Sequence, residues 1–165
     1  MGTGKSTIGR NLAEKLRRRY IDTDKEIEEL TGKTVARLIN EQGMIRFRSE
    51  EAVLIKKLSS RQGLVIATGG GALLNPENQR LLKENGVLIG LSASPEVIYN
   101  RVKIKKKDRP LLAKGDLKEQ ITKLMEERRE IYQVADFTID TGANNVEETV
   151  KAITAWLAGN QPGDG

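Results

Sequence analysis

The 165-residue chain contains no histidine and no cysteine. Without histidine it lacks the commonest general base, the usual zinc ligand and every Ser-His-Asp mechanism. Acid–base work must then fall to a carboxylate, a lysine or a tyrosine. Without cysteine there are no disulfides and no thiolate chemistry, which fits a reducing cytoplasm. No apolar stretch approaches the roughly 20 residues of a membrane span. No basic segment followed by an apolar run marks a signal peptide. A cytoplasmic protein without a membrane partner is the expectation. Aromatic residues make up only 4%, against 38% hydrophobic and 31% charged, an ordinary balance for an α/β protein. The length suits one domain with one core.

Excess charge is also scarce outside one place. The net charge is +5. Residues 101–109 (RVKIKKKDR) hold six basic residues and one aspartate, which accounts for all of it. The remainder is neutral. One basic segment therefore needs an explanation, and a solvated lysine face, a mobile loop over a polyphosphate, or nucleic-acid binding would each supply one.

Helical and strand patterns alternate along the chain. Helical spacing of apolar residues covers 6–18, 24–30, 34–41, 46–58, 76–84, 94–102, 117–132 and 146–157. Short apolar strands are expected at 19–23, 64–68, 87–91 and 137–140. Residues 159–165 read as a disordered tail. Such alternation predicts a parallel sheet covered by helices on both faces, with ligands at the carboxyl ends of its strands. Three turns fall at those ends: 2–7, 22–24 and 69–71.

Each turn carries chemistry. Gly2, Thr3, Gly4, Lys5, Ser6 and Thr7 form the second half of a Walker A loop. Its glycines let backbone N–H groups face phosphate oxygens, Lys5 reaches the β- and γ-phosphates, and Ser6 is placed to coordinate Mg²⁺. Asp22 and Asp24 stand two apart on an extended segment and are expected on one side. Beside a phosphate loop they suit a metal and an attacking hydroxyl, whereas alone they could equally cap a helix. Gly69, Gly70 and Gly71 suggest that a ligand or a second backbone approaches closely, or a simple strand exit. Arg109 and Pro110 close the lysine-rich run, where an anchored arginine can reach the transferring phosphoryl group. Arg48 and Arg128 would clamp a carboxylate, though in a chain with 28 basic residues nothing in their local sequence singles them out.

The Walker pattern normally starts with a glycine five residues before Gly4, and a strand normally feeds the loop. Neither is present in these residues, so the expectation is a P-loop fold without its first strand, of doubtful integrity.

In order, GTGKST, DTD, FRSEE at 47–51, ATGGGA at 67–72, RPLL at 109–112 and RREIYQVAD at 128–136 resemble shikimate kinases over nearly the whole chain. The resemblance implies a three-layer α/β/α P-loop kinase fold. Its parallel sheet has order 2-3-1-4-5, with the absent first strand at the centre. It implies a single domain over 1–158, a substrate-binding region at about 24–52 and a lid at about 102–115. The implied reaction is ATP-dependent phosphorylation of the shikimate 3-hydroxyl in aromatic amino-acid biosynthesis. Lys5, Asp24 and Arg109 would be catalytic, with Asp24 a candidate base. Gly2, Thr3, Gly4, Lys5, Ser6, Thr7, Arg101, Arg109 and Pro110 would bind ATP. Asp24, Arg48, Gly69, Gly70, Gly71 and Arg128 would bind shikimate, and Ser6 and Asp22 would hold Mg²⁺. A monomer without a nucleic-acid partner follows from the same likeness, and the basic run becomes the lid. The rival readings are another small-metabolite P-loop kinase, for gluconate or a nucleoside monophosphate, and a truncated inactive nucleotide-binding form.

Overall fold

In a computed structural model, residues 2–103 and 116–160 are described. These residues form four short strands separated by one or more helices, eight helices among the described residues. In chain order they are α1 (Lys5–Leu16), β1 (Arg19–Asp22), α2 (Thr23–Thr31), α3 (Val35–Ser59), β2 (Leu64–Ala67), α4 (Pro76–Glu84), β3 (Ile89–Ser92), α5 (Pro95–Lys103), α6 (Leu117–Glu127), α7 (Arg129–Tyr132), β4 (Phe137–Asp140) and α8 (Val146–Gly159). A 3-10 turn over Ala72–Leu74 follows β2.

The strands pair in two parallel ribbons. Arg19 to Asp22 run beside Leu64 to Ala67, and Ile89 to Ser92 beside Phe137 to Asp140. Alternation along the strands sorts their side chains to two faces. Val65, Ile89, Leu91, Phe137 and Ile139 meet Ile8 and Leu12 of α1 and Val150 and Ile153 of α8. One helical layer thus covers both ribbons. Phe137 stacks on Trp156 in this layer, with ring centroids 5.2 Å apart. Leu64 and Ile66 face the other way, toward Ile27, Leu38, Phe47 and Leu54. Beside β3, α5 and α6 share a third cluster around Ile98, Val102 and Ile121. An apolar cavity of about 200 Å³ runs along Gly90 to Ala93 and is lined on its other side by Leu124 and Met125 of α6.

Local chemistry explains most boundaries. Thr34, Asn75 and Asp116 cap α3, α4 and α6 with side-chain oxygens, and Pro76 opens α4 where its missing N–H costs nothing. Asn145 and Glu148 form a reciprocal capping box on α8.

The helices predicted at 34–41 and 46–58 are the two halves of α3, which meet at a kink where Gly43 takes φ 86°, ψ 163°, a conformation open to glycine. Several other boundaries differ from expectation. The helix predicted over 117–132 divides at Arg128, whose φ −105°, ψ 3° ends α6. The third strand begins at Ile89, two residues later than predicted. Gly159, assigned to the tail, closes α8; the rest of that tail from 161 lies outside the described residues. Of the predicted lid only Val102 and Lys103 are described, and Val102 is fully buried core of α5.

Candidate active site

The carboxyl ends of β1 and β2 and the head of α1 meet at one place. Gly2 and Gly4 both adopt positive φ, 69° and 88°. They turn the chain so that α1 starts at Lys5 with no side-chain cap. The first amides of α1 therefore keep the donor capacity that a cap would consume, and the helix dipole points the same way. Thr3 is buried beneath this turn, while Ser6 and Thr7 stand exposed at the helix head.

Asp22 ends β1. It does not cap α2; its Oδ2 instead accepts hydrogen bonds from Ser6 Oγ at 2.9 Å and from the Tyr20 hydroxyl at 3.0 Å. Tyr20 reaches it because residues two apart on a strand share a face. Gly9 of α1 leaves room for the ring, since a Cβ there would lie 2.8 Å from Tyr20 Cε2. Asp24 lies in the first turn of α2 and not on the strand, so the two carboxylates straddle a strand–helix junction instead of sharing an extended segment.

Asp24 faces the glycine turn. A Cβ on Gly69 would sit 2.6 Å from Glu51 Oε1 and 2.9 Å from Asp24 Oδ1. Both oxygens are buried and lack a hydrogen-bond partner among the described residues. Burial, reinforced by the Asp22 charge, raises the Asp24 carboxyl above its ordinary pKa, with Lys5 opposing. Burial also raises Glu51, and Arg48 partly offsets it. The other oxygen of Glu51, which is 1% exposed, pairs with Arg48 Nη1 at 2.5 Å. A Cβ on Gly71 would collide with the Arg48 guanidinium, and one on Gly70 would lie 2.8 Å from Arg128 Nη1. Arg128 itself donates to the Gly70 carbonyl at 2.9 Å. The three glycines are thus approached by four charged side chains, two of each sign, and not by a second backbone.

The chain belongs to the shikimate kinase family. The sequence model of that family, described as "Shikimate kinase", matches residues 1–158. A shikimate kinase of Pelotomaculum thermopropionicum is 57% identical over 157 residues, covering 95% of this chain and 91% of the relative. One from Desulforudis audaxviator is 55% identical, covering 95% and 82%. Among solved structures, the shikimate kinase of Acinetobacter baumannii in complex with shikimate superposes with a TM-score of 0.92 at 35% identity, covering 99% of this chain and 91% of that one. The α/β fold is shared with it, and shikimate kinase activity with ATP as phosphoryl donor follows for this chain.

Among the expected site residues, the structure gathers Ser6 with Asp22, and Asp24, Arg48 and Arg128 with the glycine turn. Arg101 stands apart. Its guanidinium donates to Thr141 Oγ1 at 3.0 Å, to the Thr141 carbonyl at 2.6 Å and to the Gly2 carbonyl at 3.4 Å, bridging the phosphate loop to the turn after β4. Arg109 and Pro110 lie outside the described residues.

Glu51, Thr23 and Tyr20 were not singled out from sequence. For Glu51 the signal was there: three residues after Arg48 on a helix is pairing distance. For Tyr20 it was the two-residue strand spacing before Asp22. The Thr141 anchor of Arg101 left no signal.

The donor set also bears on Mg²⁺. Among the described residues no cluster of three His, Cys, Asp or Glu side chains could cage a metal. A hydroxyl and a carboxylate oxygen at an uncapped helix head are hard donors. They fit a small divalent cation whose other ligands are phosphate oxygens and water.

Proposed function

We propose that the chain transfers the ATP γ-phosphoryl group to the 3-hydroxyl of shikimate, giving shikimate 3-phosphate and ADP. The observation that carries this reading is the glycine turn. Two guanidinium groups and two partnerless carboxylate oxygens converge on it beside the phosphate loop, which suits a molecule bearing one carboxylate and several hydroxyls.

In this reading Arg48 and Arg128 bind the substrate carboxylate, and bidentate forks fix its direction. Arg48 also lines an open groove of about 350 Å³ with Met44, Ile45 and Asn75, a route for a polar ligand. Asp24 accepts hydrogen bonds from the ring hydroxyls and takes the proton of the attacking one. Its raised pKa makes it a better base than an ordinary aspartate. Gly69, Gly70 and Gly71 close on the ring. Gly2, Thr3, Gly4, Lys5, Ser6 and Thr7 hold the ATP phosphates, and Lys5 neutralises charge on the transferring group. Ser6 and Asp22 hold Mg²⁺, which when bound neutralises charge on the β- and γ-phosphates. Little covalent chemistry is asked of the protein, so alignment and charge neutralisation carry the rate enhancement. The roles of Arg109, on ATP from a lid at about 102–115, and of Arg101 and Pro110, beside the adenine, rest on the family resemblance alone.

For the sheet, β1, β2, β3 and β4 take positions 2, 3, 4 and 5 of the order 2-3-1-4-5. The shared α1–α8 layer and the cavity along β3 support that assignment. One domain over 1–158, acting as a cytoplasmic monomer, completes the reading. Among the described residues no helix is long and apolar enough to cross a membrane.

An ADP-release assay with shikimate, gluconate and nucleoside monophosphates tests the substrate, with ³¹P and ¹H NMR to locate the phosphate. Turnover confined to a substrate other than shikimate would overturn it. A cooperative melt raised by Mg²⁺–ATP and by shikimate, together with turnover, would exclude an inactive nucleotide-binding form.

A further inference from the structure

Thr23, between the two carboxylates of the DTD run, is fully buried. Its hydroxyl accepts the Gly69 N–H at 2.9 Å and donates to the Ala67 carbonyl at 3.4 Å. The reason for this arrangement lies in the ladder. Pairing of β1 with β2 ends at Asp22 opposite Ala67, because Thr23 already belongs to α2. One residue farther along, no backbone carbonyl of β1 remains in line to receive an amide from the glycine turn. The threonine side chain supplies the acceptor instead.

Gly69 is also the residue pressed against Asp24 Oδ1 and Glu51 Oε1. Its neighbour Gly70 is held from the opposite side by Arg128. The turn is therefore fixed at two adjacent points, by a neutral hydroxyl and by a guanidinium. The guanidinium is one that shikimate itself would engage, whereas the hydroxyl is not. Unlike the Arg128 bond, the Thr23 bond can tie the turn to α2 in the same place before and after substrate binds.

We propose that Thr23 is a positioning residue whose hydroxyl sets the height of the Gly69 turn over Asp24 and Glu51, and so the fit of the substrate ring. This rests on the shikimate reading of the site. The hydroxyl touches no reacting atom and acts only through the backbone of Gly69.

The test compares Thr23→Val, which keeps the shape and removes both hydrogen bonds, with Thr23→Ser, which restores the hydroxyl. The first readout needs no substrate: hydrogen exchange of the Gly69 amide, followed by ¹⁵N NMR against the Ile153 amide of α8. The second is KM for shikimate against KM for ATP. A buried hydrogen bond of this kind predicts about a tenfold faster Gly69 exchange and about a tenfold higher KM for shikimate in the valine variant. Ile153 exchange and KM for ATP should stay unchanged, and serine should reverse both effects. If the valine variant does not fold, Thr23→Ala serves in its place.

Unchanged Gly69 exchange would overturn the proposal, as would KM values for both substrates rising together. A wild-type enzyme inactive on shikimate would defeat the substrate reading alone, because the exchange comparison still judges the bond.

Discussion

Replacing Gly69 with alanine adds one methyl group at a point already enclosed. The backbone accepts it, since Gly69 is not among the glycines with positive φ. The obstacle is the pair of carboxylates. Glu51 Oε1 would have to withdraw from 2.6 Å, and Asp24 Oδ1 from 2.9 Å, to the ordinary contact distance of about 3.4 Å. Glu51 has little room to do so, because it is 1% exposed on α3 and its second oxygen holds Arg48. Its retreat therefore displaces the guanidinium meant for the substrate carboxylate. Overpacking of this size costs about 1–3 kcal/mol. In a chain of this length that lowers Tm by roughly 2–4 °C per kcal/mol. Because the displaced groups face shikimate and not ATP, KM for shikimate should rise at least about fivefold, the factor for the lower figure, with KM for ATP unchanged. Steady-state ADP release with each substrate varied in turn, and a thermal melt, give the three numbers. A variant with parental Tm and parental KM for shikimate would refute the argument from the glycine turn.

Lys5→Met should lower kcat by about a hundredfold or more while leaving the melt intact, because the transferring group loses its nearest cation. A kcat within tenfold of the parent would remove Lys5 from the phosphate role. Arg48→Lys should raise KM for shikimate roughly tenfold, since an ammonium cannot reproduce the two-pronged contact; an unchanged KM would sink the clamp. Asp24 and Glu51, raised by burial, keep protons in the folded state at pH values where the unfolded chain has released them. Their contribution to stability is complete below the ordinary carboxylate range of about 3.9–4.3 and declines as pH rises through the raised values. Glu51→Gln removes one of these groups, so its Tm relative to the parent should shift in the variant's favour between about pH 4 and 7. A Tm difference independent of pH would contradict the raised Glu51.

Much of this site could be read from residue order, and the reason is physical. Phosphate loops need glycine at positive φ, and Gly2 and Gly4 have it. The exits of parallel strands are where side chains can converge, and GTGKST, DTD and GGG all lie there. Resemblance, and not local pattern, picked out Arg48 and Arg128 among 28 basic residues. What stayed hidden depended on contacts made across long stretches of chain. That Thr23 would serve Gly69, 46 residues away, instead of capping its own helix, depends on where the β1–β2 ladder stops. The break at Arg128 was misread because helical periodicity survives a single residue of altered backbone. The two-ribbon pairing lay beyond any local pattern, since strand neighbours are chosen by the layers above and below them.

The helical layer over both ribbons also has a consequence for synthesis. Ile8 and Leu12, which anchor the helix behind the phosphate loop, pack on Val150 and Ile153 of α8. The ribosome makes α1 long before α8. At roughly 5–20 residues per second, the growing chain can cover one side of α1 with the strands but leaves its α8-facing side uncovered until translation is nearly over. A nascent chain stalled before Val146 should therefore leave the helix behind its phosphate loop only half covered, with the α8-facing side of α1 open to holding chaperones.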